Sequence, residues 1–184
     1  MTAMLDLIGA TLISAFITLM LMTVNNNLST TASQQYMNTN TQQNMVALTE
    51  VFQYDFKNMG YRITDSIKIR VASPTYFSFR TDYDNNGTAD SITYYLGTTS
   101  ELASTENPND KPLYRKINNN TAVSNNWGIT DLRFRYYDSL GVETTWKSKI
   151  RSFKVTVSIM SPVKYDNQWS YSNWEKMYKP RNLR

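Results

Sequence analysis

The sequence contains no cysteine and no histidine. These absences exclude disulfides, thiolate and imidazole zinc sites, and Cys–His or Ser–His–Asp catalysis. No residue pattern is assigned a catalytic role, and the expectation is a protein that is not an enzyme. Glycine and proline are scarce, with 6 and 5 in 184 residues, and neither occurs between Ala10 and Met59. That stretch therefore holds no residue that breaks a helix. Charge is scarce at one end. From Met1 to Thr49 the only charged side chain is Asp6, and every lysine and arginine lies at Lys57 or later. The formal net charge of +4 is too small to argue a nucleic-acid partner, and none is expected.

What fills the uncharged end is apolar. Leu7–Val24, LIGATLISAFITLMLMTV, is a run of 18 residues without charge. It is at the lower end of the length of a membrane-spanning helix, about 17–25 residues. Gly9, Ala10, Ser14 and Ala15 are small, and small residues let apolar helices approach closely. Three readings compete. A secretory signal peptide has a basic start and a small-residue cleavage site, whereas this run follows Asp6 and ends Met-Thr-Val-Asn-Asn-Asn. A plain anchor carries flanking lysine or arginine, absent from both flanks. A pilin-type helix accounts for a lone acid at the head of the run. A carboxylate among apolar helices is costly unless paired, and the amine at the N-terminus of a neighbouring subunit can pair it.

The segment Met1-Thr-Ala-Met-Leu-Asp6-Leu-Ile resembles the mature start of a type IV pilin: a short apolar lead, an acid at the fifth position, then an apolar helix. Two departures stand out. The acid is aspartate rather than glutamate, and it is sixth from Met1 but fifth from Thr2. The resemblance implies processing by a prepilin peptidase, although the basic leader that enzyme cuts is not in the sequence. Either it was removed or this branch matures differently. It also implies residence in the inner membrane before assembly, and a pilus assembly machinery that stacks the subunits into a homo-oligomeric helical filament. Asp6, Leu7, Gly9, Ala10, Ala15 and Leu19 are the residues expected to carry assembly.

Residues 1–24 thus form an apolar filament-core or transmembrane helix. Residues 25–60 are expected to continue it, with a weak middle at Asn25–Asn44, where Asn, Thr, Ser and Gln compete for backbone hydrogen bonds. Met45, Leu48, Phe52, Phe56 and Met59 then recur at 3–4 spacing, which predicts an apolar stripe ended by Gly60. Residues 61–184 change to period two. Ile67–Val71, Tyr76–Phe79, Ile92–Leu96, Leu132–Tyr136 and Ile150–Ile159 alternate and are rich in β-branched and aromatic residues. The predicted fold class is α+β: a long N-terminal helix laid on a C-terminal antiparallel β-sheet head, one sheet face against the helix and the other wet.

The order of the pieces adds to the resemblance. An acidic turn leads into Ile-Thr-Tyr-Tyr-Leu96. Leu113-Tyr-Arg115, Ile129–Asp138 and a strand opening at Ile150-Arg151 follow, and the chain closes on Pro180-Arg-Asn-Leu183. This succession is similar to PilW-type minor pilins, and the helix Met45–Arg62 resembles the second half of the long helix in PilW-type minor pilins and in J-type pseudopilins of type II secretion.

Two segments carry candidate chemistry. Asp82, Asp84, Asn86, Thr88 and Asp90 alternate around Gly87, the ligand spacing of an EF-hand calcium loop at positions 1, 3, 5, 7 and 9. The twelfth position is Thr93 rather than a bidentate glutamate, so a calcium ion would bind weakly. The alternative is an ordinary hairpin turn, for which Asn-Gly beside Asp is equally a signature. No cofactor is required by this reading, and calcium is the one candidate. The tail, Tyr165–Arg184, interleaves Trp169, Tyr171, Trp174 and Tyr178 with lysine and arginine. Such interleaving occurs in sugar and nucleic-acid sites, but the irregular spacing favours packing against the head or a neighbouring subunit. Three Asn-X-Ser/Thr triplets, at Asn27, Asn86 and Asn119, arise by chance in so Asn- and Thr-rich a chain.

The expected function is structural: a subunit of a type IV pilus-like filament, extracellular once assembled. The first alternative is a minor pilin or pseudopilin priming a short, periplasmic filament. The second is a membrane-anchored binding or sensor domain.

Overall fold

A computed structural model of the chain describes residues 2–120 and 123–183, with the backbone alone at 123–125. Met1, Arg184 and Thr121, the last residue of the Asn119 triplet, lie outside the described residues. One helix, α1, runs unbroken from Thr2 to Lys57. At 1.5 Å per residue its 56 residues span about 84 Å. The weak middle does not interrupt it. Thr30 and Thr31 donate their hydroxyls to the carbonyls of Asn26 and Asn27, one turn back, so these polar side chains are satisfied within the helix.

Residues Met37, Thr41, Met45, Leu48, Phe52 and Phe56 form the buried stripe of α1. The helix ends where the 3–4 spacing predicts. Gly60 takes a positive φ of 73°, which glycine adopts without steric cost, and its N–H turns outward to the carbonyl of Arg80 at 2.8 Å.

The head is a seven-stranded meander in which every strand pairs antiparallel with its sequence neighbours. The strands are β1 Ile69–Ala72, β2 Tyr76–Thr81, β3 Asp90–Leu96, β4 Lys111–Ile117, β5 Val123–Tyr137, β6 Ser152–Met160 and β7 Tyr171–Tyr178. Period-two burial is clearest in β6, where Phe153, Val155, Val157 and Ile159 all point to the core. Phe77 and Phe79 of β2, Ile92 and Tyr94 of β3, and Leu132 and Phe134 of β5 complete the inner face. Phe56 sits at the centre of that face. Its ring lies 5.1–6.3 Å from those of Phe52, Phe77, Phe79, Tyr94, Phe134, Phe153 and Tyr178, mostly edge-on. The α+β layout expected from the sequence, one helix against one face of an antiparallel sheet, is the observed one.

Two features go beyond the sequence reading. β5 starts at Val123, well before the alternating stretch. It kinks at Gly128, where φ is +71° and a Cβ would run into the carbonyl oxygen of Met160. The tail, expected only to pack against the head or a neighbouring subunit, contains a strand. β7 pairs with β6 along its length, from Met160↔Tyr171 to Phe153↔Tyr178. Tyr178 and Trp174 pack on the core, as anchors should, whereas Tyr171 remains exposed.

Candidate functional site

Two regions hold the residues singled out in the sequence, and the first is the free half of α1. From Thr2 to Ser29 no helix residue is buried, and the apolar window long enough to cross a membrane is wholly exposed. Leu19, Met20, Leu21 and Met22 follow one another, each more than half exposed. At about 100° per residue these four apolar side chains cover every side of the helix, the pattern of a segment surrounded by apolar material. Its threonine hydroxyls fit such surroundings. Thr11, Thr18 and Thr23 donate to the carbonyls of Ile8, Ser14 and Leu19 at 2.8–3.0 Å, so they present no unpaired donor to lipid.

Within this half, helical spacing puts Asp6, Gly9 and Ala10 on one side and Ala15 with Leu19 on the other, while Leu7 lies between them. The predicted assembly residues therefore form no single patch on one chain. They line different sides of a rod, and none touches the head. Gly9 has nothing within 4 Å of where a Cβ would stand, so in the isolated chain its smallness serves no contact.

The second region is the β2–β3 hairpin loop. Thr81 pairs with Asp90 at the base of the loop, which closes as a hairpin. Asn85 and Gly87 take φ of 60° and 85° and curl the chain back. The curl brings one carboxylate oxygen from each of Asp82, Asp84 and Asp90 within 4.8 Å of one another. Asp82 and Asp90 are buried and Asp84 is exposed. Asp82 Oδ2 accepts the Gly87 N–H at 3.1 Å, and Asp90 Oδ2 accepts the Tyr83 N–H at 2.9 Å. Asn86 and Thr88, the other two predicted ligands, bond within the loop. Asn86 donates to Asp84, and its side-chain oxygen accepts from the N–H and hydroxyl of Thr88.

Sequence reasoning missed the groups that hold this loop. Arg62, just after α1, sets its guanidinium 3.4 Å from Asp82 Oδ2. Tyr61 accepts the Asp82 N–H, and Asn118, in the β4–β5 turn, donates to Asp90 Oδ1 at 2.6 Å. The positive φ of Arg62 and Asn118 marks both as turn residues, but no local signal says which loop they face.

Beside the loop lies a buried polar cluster, also unforeseen. Asp55 of α1 accepts two hydrogen bonds from Arg115 of β4, at 2.7 and 2.9 Å, and a third from the Tyr94 hydroxyl. Burial and the Asp55 carboxylate push the Tyr94 phenol well above its ordinary range. Burial alone would lower the Arg115 guanidinium, but its bonds to Asp55 outweigh that and raise it. The Arg115 guanidinium also lies 5.2 Å from the Tyr83 ring centre, which ties the cluster to the hairpin loop. A cavity of about 330 Å³ between the two is lined by Asp55, Asn58, Asp82 and Tyr83.

A larger cavity, about 570 Å³, opens at the β1 edge between Ile67, Trp146, Ile150 and Leu183. Two of its cations are tied to main-chain carbonyls across the edge, Lys68 to Asn182 and Lys147 to Arg70, while Arg151 bonds the nearby carbonyls of Ser148 and Ile150. The two lysines act there as braces across the sheet edge.

Compared with known proteins, the chain matches no family model and has no significant match among curated proteins.

Proposed function

We propose that the chain is a structural subunit of a type IV pilus-like filament. Its N-terminal helix is held in the inner membrane before assembly, then stacks against the same helix of neighbouring copies, with the heads outside. One observation carries the reading. The head closes its own core on the second half of α1, and the first half is left as an apolar rod exposed on every side. Roughly 25 cal/mol per Å² of apolar surface favours covering that rod, first by lipid and then by other copies of itself. Asp6, the only acid on it, supplies register by pairing with the amine at the N-terminus of a neighbouring or its own chain.

The succession of strands favours a minor pilin or type II secretion pseudopilin as the second reading, in which the chain primes a filament rather than repeating along it. Electron microscopy of surface material from cells making the protein tests both. Regular filaments in which this chain repeats support the first. Filaments carrying it at sub-stoichiometric level support the second. Membrane-bound single chains with no polymer would sink both and leave a membrane-anchored binding domain.

A further inference from the structure

The β2–β3 loop holds more negative charge than its surroundings compensate. Three carboxylates converge within 4.8 Å, and the neighbouring cation, Arg62, is half-exposed, meets Asp82 Oδ2 alone among the carboxylate oxygens and shares the same Nη1 with the Asn85 carbonyl. The side chain of Asp82 is 1% exposed, and its other oxygen, Oδ1, has no hydrogen-bond partner among the described residues. A buried carboxylate oxygen without a donor is rare in a finished site, because the desolvation cost falls on a charged group. A hard cation supplies what is missing on both counts.

We infer that Asp82, Asp84 and Asp90 form a calcium site that clamps the end of α1 to the head. This is independent of how the apolar half of α1 is used. The donors are all oxygens, which suit calcium or magnesium rather than softer metals. Calcium bonds oxygen at 2.3–2.6 Å, so ligands on opposite sides of one ion stand about 4.6–5.2 Å apart. The three carboxylates already lie inside that span. Magnesium, at about 2.0–2.1 Å with near-octahedral demands, requires a tighter set and gives up its water reluctantly.

The clamp follows from what each aspartate is bonded to. The Asp82 N–H is held by the Tyr61 carbonyl, just past α1. Asp90 stands in the sheet, and Asn118 of the β4–β5 turn holds its other oxygen. One ion joining these carboxylates therefore links the helix exit, the β2–β3 hairpin and the β4–β5 turn. Arg62 is the competing counter-charge, and without metal it steadies Asp82 together with the Gly87 N–H.

The test uses the full chain in detergent micelles, stripped of metal with a chelator, with calcium chloride as the probe. Calorimetric titration should show saturable binding, and the melting temperature should rise by several degrees in millimolar calcium and less in equal magnesium. Asp84 is exposed and bonds only inside the loop. Asp84→Asn should therefore melt like the parent in chelator while weakening calcium binding at least tenfold. Arg62→Gln should lower the melting temperature in chelator and lose most of that deficit in calcium. Equal melting in calcium and chelator with no heat of binding would overturn the proposal. So would an Asp84→Asn protein that binds calcium as well as the parent.

Discussion

The two halves of α1 have the same backbone and opposite surroundings. From Met37 to Lys57 one stripe is buried under the sheet, and the other side carries Gln42, Gln43, Glu50 and Gln53. From Leu7 to Val24 there is no charge, no buried residue and no sheet. A helix that must meet water on one side and protein on the other has to be amphipathic, whereas one wrapped by a uniform apolar medium does not. The contrast separates the two jobs of the helix. The docked half holds the head together, and the free half faces whatever lies beyond the chain.

The sharpest way to break this comparison is to make the same change in each half. Phe56→Ala removes the hub of the aromatic core and should cost about 3–5 kcal/mol of head stability in chemical denaturation. Phe16→Ala, in the free half, should leave that transition where it is. Loss of stability from Phe16→Ala would mean that the head rests on the stalk after all.

A second test concerns what fastens the docked half. Arg115→Ala leaves the Asp55 carboxylate buried without its cation and should destabilise by about 3 kcal/mol, as removing one partner of a buried pair does. Asp55→Asn in the Arg115→Ala background should recover part of that loss, since the uncompensated charge is gone. An unchanged denaturation midpoint in Arg115→Ala would show that packing alone docks the helix.

In the free half the sensitive readout is assembly. Ala15→Arg puts a charge at the centre of the apolar run, which costs about 2.5–3.5 kcal/mol on membrane-insertion scales. It should abolish filaments while the head melts normally. Asp6→Ala should insert normally and assemble poorly. Normal filaments from both would remove the helix-stacking proposal.

The smallest effect is expected at alkaline pH. Burial pushes the Tyr178 phenol up to about 12, and its hydroxyl has no hydrogen-bond partner among the described residues. The folded chain thus holds this proton more tightly than the unfolded chain, where tyrosine ionises near 10. The sign follows: this contribution to stability is complete below about pH 10 and is lost as pH rises through about 12. Tyr178→Phe should be nearly neutral at pH 8 and should flatten the fall in urea midpoint between about pH 10 and 12. An unchanged slope would place the alkaline sensitivity elsewhere, for instance at Tyr94 or Tyr136, both also raised by burial.

The sequence by itself determined the elements whose signal is local. Charge-free length marked the free half of α1. The spacing of Met45, Leu48, Phe52, Phe56 and Met59 marked the docked stripe, and every one of these residues is buried. Alternation marked most of the sheet, and Asn86-Gly87 marked the turn of the hairpin loop. These features repeat along the chain at the period of the backbone itself, so they can be read without knowing what lies opposite. β7 escaped because it is an edge strand, where Glu175 and Lys176 are free to be charged. Only Trp174 and Tyr178, four apart and on one face, hinted at it. The tertiary structure alone decided which polar residues would be buried. Asp55 reads as one more charge on an amphipathic helix until Arg115, sixty positions on, reaches it. Asp82 and Asp84 read alike until the hairpin buries one and exposes the other. A lone charge is placed by partners distant in sequence, because only a folded chain brings together the groups that make its burial tolerable.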